Sequence, residues 1–233
     1  MRALILRQPG RFGDWTTIGE VRHLLSIAAV LAIGLAVCSG EPQTSAPAPS
    51  LMNPASLNET APESFRALFD TSVGMFVVQV HRDWAPHGAD RFFNLVKYGF
   101  YDNCRFFRVV PKFMAQVGIN GNPAIADKWA TATIPADRAR QSNVRGRVTF
   151  AMSSDVNSRT TQIFINYGDN SRLDIDGFAP FGEVTSSMIL VELIFSGYGE
   201  APDQGQIQLG GNAFLAKYFP RLSYIKKASI LTE

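Results

Sequence analysis

The sequence predicts a mainly β domain over residues 65–233, built as an antiparallel barrel or sandwich. Short β-rich runs follow one another from Phe65 onward, each ended by Gly, Pro, Asn or Asp. Only two segments carry helical spacing, and strands and helices do not alternate as a parallel sheet requires.

Ahead of that domain the chain reads differently. Leu24 to Val37 is an unbroken apolar run of about 14 residues, short of the roughly 20 that span a bilayer and within the roughly 7–15 of a signal-peptide core. Arg22 and His23 precede it, and Leu35-Ala36-Val37-Cys38 closes it. That closing box is similar to a lipoprotein signal with Cys38 as the acylated residue. Val37 is larger than the residue usual at its position, so a cleaved signal peptide and an uncleaved anchor stay open beside lipidation. Residues 1–38 are therefore read as a signal peptide, which puts the mature protein in the periplasm or cell envelope. Residues 39–64 are rich in Pro, Ser, Ala, Thr and Asn without a hydrophobic period. Such a segment buries too little apolar surface to offset chain entropy, and it reads as a flexible tether.

Within the domain, Phe65–Phe69 and Met75–Val80 form a hairpin about the turn cluster Asp70–Gly74. Pro86 sits where a first helical turn tolerates proline, and Gly99 where a helix ends. Between them Ala89, Phe92, Phe93, Val96 and Lys97 recur at helical spacing. Phe106–Val110, Phe113–Val117, Val148–Met152 and Gln162–Asn166 are strand-like. A second helix fits Ser187–Phe195, and Tyr224–Leu231 reads as a closing strand.

Composition narrows the function. A net charge of +2 offers no broad basic face for nucleic acid. Two cysteines, Cys38 and Cys104, stand outside any metal-ligand spacing, and Cys104 reads as a partly buried thiol. Three histidines, His23, His81 and His87, are too few and too scattered for a zinc site or a His-based triad.

The informative stretch is Phe106-Phe107-Arg108-Val109-Val110-Pro111-Lys112-Phe113-Met114-Ala115-Gln116. If Phe113–Gln116 is extended, Phe113 shares a face with Ala115, and Met114 with Gln116. An Arg and a Gln would then lie beside apolar groups on one surface, an arrangement that ordinary Arg stacking also produces. Two further motifs follow: Thr161-Gln162-Ile163-Phe164-Ile165-Asn166, then Leu173-Asp174 leading to Phe181-Gly182-Glu183-Val184.

In this order the three motifs, with Gly99-Phe100-Tyr101-Asp102 before them, resemble the cyclophilin family over residues 67–231. The resemblance implies a closed eight-stranded antiparallel β-barrel capped by two helices, with a substrate groove on its outer face. It implies a peptidyl-prolyl cis-trans isomerase acting on proline-containing peptides and unfolded clients, working as a monomer without cofactor or metal. By the same resemblance Arg108 is the electrostatic donor and Gln116 orients it. Phe113, Met114, Phe164 and Leu173 line the proline pocket, while Gln162 and the backbone near Met152 and Ser153 grip the peptide. Asp155, Asn157, Ser158, Arg159 and Thr160 look like the loop bordering that cleft.

The chain departs from the family at four places. Lys112 stands where Gly is common, and Phe107 where a His usually precedes the Arg. Arg172 replaces the Trp that eukaryotic members use to hold cyclosporin, which implies weak binding of the drug. Phe178 replaces a pocket His, beside a short insertion at Ile175–Gly177. The rival reading is a proline-peptide-binding module on the same scaffold with negligible catalysis. Intact Arg108, Phe113 and Gln116 favour the enzyme.

Overall fold

A computed structural model describes residues 49–231. The signal-peptide and lipidation readings, Cys38 included, lie outside the described residues.

The hairpin expected first is β1 (Ser64–Thr71) against β2 (Gly74–His81). Alternation decides its faces: Phe65, Ala67 and Phe69 on β1 and Phe76, Val78 and Val80 on β2 are all buried. Phe69 stands opposite Phe76, and their rings stack with centroids 5.2 Å apart. The turn closes on itself, Thr71 Oγ1 accepting the Val73 N–H and donating to the Gly74 carbonyl.

Helix α1 (Pro86–Lys97) begins at the expected proline and buries Ala89, Phe92, Leu95 and Val96. Its first free N–H groups, those of His87 and Gly88, donate to the carboxylate of Asp137 at 3.0 and 2.9 Å. The chain leaves the helix through Gly99 at φ 73°, where a side chain would strain the backbone.

The remaining strands are β3 (Arg108–Val110), β4 (Met114–Val117), β5 (Arg147–Phe150), β6 (Ile163–Asn166), β7 (Pro180–Ser186) and β8 (Ile225–Leu231). All pair antiparallel in one sheet of order β3-β4-β6-β5-β7-β2-β1-β8. The expected closed barrel is corrected here: the sheet curls, but no ladder joins β3 to β8. The reason lies at the seam. Residues 103–106 meet residues 223–225 just before the two strands begin, with Asn103 and Phe106 N–H donating to Ile225 and Ser223 carbonyls. Beyond that point β8 is committed to β1, and the β3 edge turns to a different segment, its Val109 N–H donating to the Gly199 carbonyl.

The main core lies inside the curl, under α1 and the short helix α4 (Met188–Glu192), which realises the second expected helix. The structure adds α2 (Pro123–Trp129), the single-turn α3 (Arg172–Ile175) and α5 (Gln204–Tyr218). Helices α2 and α5 cover a smaller apolar cluster of Phe107, Ile119, Ala126, Ile207, Leu215 and Leu222.

The tether reading is revised from its C-terminal end. A 3-10 turn (Pro54–Ser56) precedes Leu57 and Ala61, which are only 4% and 5% exposed and belong to the main core. The Leu51 carbonyl accepts the Trp129 indole N–H at 2.8 Å, and Asn94 exchanges hydrogen bonds with the Glu59 backbone. The folded part thus starts ahead of Phe65. Cys104 is wholly buried rather than partly so, and burial pushes its thiol pKa up.

Candidate active site

Strands β3 and β4 are joined by Pro111-Lys112-Phe113, with the Phe113 N–H donating to the Val110 carbonyl at 3.0 Å. Pro111 supplies the fixed φ of a first central turn position, and Lys112 takes the left-handed second position at φ 64°. That tight turn sets the register, so Arg108 lies directly opposite Gln116. The pleat does the sorting: Val109, Ala115 and Val117 enter the main core, while Met114 faces the other way. On β6, Ile163 and Ile165 also enter the core, and Phe164, paired with Gln116, faces outward.

One expectation about these faces fails. Phe113 does not share the face of Ala115; it packs with Met114, because it belongs to the turn, where strand alternation does not hold.

On the outer face a row of polar side chains runs across three neighbouring segments. Gln116 Nε2 donates to Gln162 Oε1 at 2.8 Å, and Arg108 Nη1 donates to Gln116 Oε1 at 3.2 Å. The two glutamines are 1% and 5% exposed, so neither can exchange partners freely with water. Arg108 continues the row to Glu200, donating through Nε at 2.6 Å, with Nη2 in ion-pair contact with the same carboxylate oxygen. Its side chain is 13% exposed, against 60% for Glu200.

Beside this row lies an apolar cluster of Met114, Ala151, Met152, Phe164, Leu173 and Phe178, with Val110 and Phe113 half-buried at its edge. Phe178 meets Phe164 edge-to-face at 5.9 Å, so it walls the cluster by contact alone. Two guanidinium groups approach the Phe113 ring, Arg108 at 5.8 Å and Arg172 at 5.0 Å. Arg172 therefore occupies the rim as a cation stacked on an aromatic face. Nearby, the Ser171 backbone N–H and hydroxyl hold the Asp169 carboxyl below its ordinary range, with Arg172 adding a smaller effect.

Nine of the ten expected catalytic and pocket residues fall in the polar row or the cluster. Ser153 does not. Its hydroxyl and N–H are both bonded to Ser158 Oγ at 2.8 Å, closing the loop 153–158 on itself. Arg159 is also misplaced by the loop reading: it is buried, paired with Asp137 at 3.0 Å.

Three supporting residues escaped the sequence. Asn143 is fully buried and donates to Asp174 Oδ1 at 2.7 Å and to the Phe178 carbonyl at 2.8 Å, while its own Oδ1 accepts the Thr149 hydroxyl. It thereby fixes both ends of the segment carrying Leu173 and Phe178. Asn170 donates to the Phe113 carbonyl at 2.8 Å and holds the hairpin turn. Glu200 pairs with Arg108 from a segment distant in sequence. Asparagines in unpatterned loops and a glutamate after a Gly-Tyr-Gly run carry no periodic signal.

The site is a fixed cationic donor beside an apolar surface. Among the described residues, no cluster of His, Cys, Asp and Glu has the shape of a metal site.

Residues 67–208 match the family model of the cyclophilin type peptidyl-prolyl cis-trans isomerases. The chain is 35% identical over 130 residues to a peptidyl-prolyl cis-trans isomerase of Acinetobacter baylyi, covering 53% of this chain and 68% of that one. It is 33% identical over 134 residues to isomerase B of Escherichia coli, covering 54% and 81% respectively. In fold it is similar to a crystal structure of a cyclophilin type isomerase from Cryptosporidium parvum, with a TM-score of 0.56 at 18% identity over 73% of this chain and 99% of that one. A second structure of that protein was determined in the presence of the dipeptide Ala-Pro.

Proposed function

Because this chain belongs to the cyclophilin type peptidyl-prolyl cis-trans isomerases, we propose that Arg108 is the centre of its catalysis and that its clients are proteins outside the cytoplasm. Rotation about an X-Pro bond faces a barrier of about 20 kcal/mol, set by amide resonance. No nucleophile, proton carrier or cofactor is needed to cross it. The catalyst must bind the twisted amide better than either planar form. In the twisted form the prolyl nitrogen turns pyramidal and its lone pair, freed from amide resonance, localises on it, where an N–H donor can stabilise it.

The observation that carries this reading is the row Gln162–Gln116–Arg108 lying beside the apolar cluster around Phe113 and Phe164. Gln116 anchors one end of the guanidinium, so its donors are oriented before substrate arrives and little reorganisation is left for the reacting state. Phe113, Met114, Phe164, Leu173 and Phe178 supply the surface for the proline ring. Gln162 and the backbone at Met152 hold the preceding residues of the peptide. The protein acts as a monomer on proline-containing peptides and unfolded chains, held to the envelope by its N-terminal segment through lipid on Cys38.

The test is X-Pro exchange in a short peptide with the full chain and with Arg108→Ala. Loss of one preorganised donor lowers the rate by about 100- to 1,000-fold. A folded parent that binds the peptide without accelerating exchange would make the protein a binding module. Arg172 and Phe178 would then be the residues to revert. Localisation is read separately, by mass spectrometry of the mature N-terminus, where an unmodified Cys38 removes the lipid anchor from the proposal.

A further inference from the structure

Among the described residues Glu200 is the hydrogen-bonded partner of Arg108 that lies outside the β-sheet, and its placement is fixed from several sides. The Gly199 carbonyl accepts the Val109 N–H at 3.1 Å, which clips the segment to the edge of β3 one residue from Arg108. Tyr198 packs edge-to-face against Phe195 and Phe219, each at 5.2 Å. On the other side Pro202 is buried and Asp203 caps α5 by accepting the Gln206 N–H at 2.9 Å. The backbone that carries the carboxylate is therefore held at both ends, by the edge of β3 on one side and by the start of α5 on the other.

We propose that Glu200 is a positioning residue for Arg108, and that α5 serves the active site by presenting it. A guanidinium has five N–H donors in one plane. Glu200 accepts from Nε and pairs through the same oxygen with Nη2, and Gln116 takes one hydrogen of Nη1. The two contacts lie on opposite flanks of the group, so together they fix its plane and its rotation. What they leave for substrate are N–H donors on the two terminal nitrogens. A single anchor at Gln116 would leave the plane free to turn about that bond, and the donors would then be aimed only part of the time. The guanidinium is charged with either partner, but a carboxylate adds its own charge to the bond, so glutamine at this position holds Arg108 less firmly even where its shape fits.

This inference rests on Arg108 being the catalytic donor. The experiment compares parent, Glu200→Gln, Glu200→Asp, Arg108→Ala and the double variant Arg108→Ala/Glu200→Gln in peptide exchange, with the Arg108 Nε–H resonance followed by NMR. Glu200→Gln is expected to lower kcat by about three- to tenfold with KM nearly unchanged, because the apolar cluster is untouched. Glu200→Asp recovers part of the loss. In the Arg108→Ala background the same change has no further effect, since nothing remains to be positioned. The Nε–H signal is sharp and slow to exchange in the parent and averaged in Glu200→Gln, at an unchanged thermal midpoint. A kcat equal to or above the parent's in Glu200→Gln overturns the proposal, and so does an equal loss in both backgrounds. If the parent itself failed to accelerate exchange, the catalytic assignment of Arg108 would fall. The resonance would still decide whether Glu200 orders it.

Discussion

The buried pair Arg159–Asp137 gives the sharpest stability prediction. Both side chains are 2% exposed, and Arg159 Nη1 lies 3.0 Å from Asp137 Oδ2. Arg159 also donates through Nη2 to the Pro135 carbonyl, so it ties loop 130–137 to the segment entering β6. Asp137 meanwhile accepts the first two N–H groups of α1. Arg159→Met keeps the stem volume and removes the cation. It strands a carboxylate in the interior, a change that costs about 3–5 kcal/mol when one member of a buried pair is lost. Two backbone N–H bonds and the positive end of α1 persist, and a helix end contributes up to about 2 kcal/mol to a partly buried anion. The loss should therefore fall near the lower figure, about 3 kcal/mol. For a domain of this size each kcal/mol moves Tm by about 2–4 °C, giving a fall of about 6–12 °C. Denaturant unfolding of the full chain checks it, with the m-value constant so that the shift reports stability alone. The double variant Asp137→Asn/Arg159→Met removes the stranded charge and keeps one acceptor for α1, so it should regain about 1 kcal/mol or more over the single variant. A single variant losing under 1 kcal/mol, or a double variant less stable than the single, would refute the account.

Three further outcomes are expected. Lys112→Gly relieves a left-handed backbone position at φ 64° and should raise stability by about 0.5–1 kcal/mol, read as a shift in urea midpoint, because Gly adopts that conformation without a Cβ clash. Asn143→Ala strands the Phe178 carbonyl and the Thr149 hydroxyl and should cost about 2–4 kcal/mol. It should weaken peptide binding in a titration while leaving the Arg108–Gln116 pair in place. Glu59 is held below its ordinary value of 4.5 first by Lys97 and then by Tyr98. In the acid window between those two values the unfolded chain binds the proton that the native chain refuses. The contribution is therefore present above pH 4.5 and lost as pH falls through the lowered value. Hydrogen exchange at the residue-59 amide, which donates to Asn94 Oδ1, should quicken across that window in the parent and show no such step in Glu59→Gln.

The sequence makes some parts of this molecule legible and hides others for physical reasons. The β1–β2 hairpin is readable because one face is buried, and burial of one face writes itself as alternation: Phe65, Ala67 and Phe69, then Phe76, Val78 and Val80. Arg108 and Gln116 are readable because they stand in a motif that resembles the family's, and the structure adds the three-residue turn that sets them opposite each other. Helix α5 is not, since Gly205, Gly210 and Gly211 interrupt its period and Gly211 breaks its helical geometry with φ 55°. Close approach explains the glycine: a Cβ there would lie 2.3 Å from the Gly121 carbonyl oxygen. Residues 50–63 look like a tether because only two of their apolar side chains, Leu57 and Ala61, are buried, and two residues make no pattern. Asn143, Arg159 and Glu200 act through partners remote along the chain, and such pairings leave no local trace.

The unjoined seam between β3 and β8 also bears on how the domain comes to exist. β1 is the first strand of this sheet to be made, and one of its two neighbours is β8, with Arg66 facing Leu231. Until β8 is available, that flank of β1 is an open edge offering backbone donors and acceptors to any other extended chain. The contact that covers it joins residues from opposite extremes of the domain, a non-local closure of the kind that slows folding. The bonds between residues 103–106 and 223–225 also need the segment at the start of β8, so they too wait for it. A chain interrupted before Ile225 would thus hold most of its sheet and none of its closure. The final strand acts as a completion signal that decides when the nascent domain stops being a partner for aggregation.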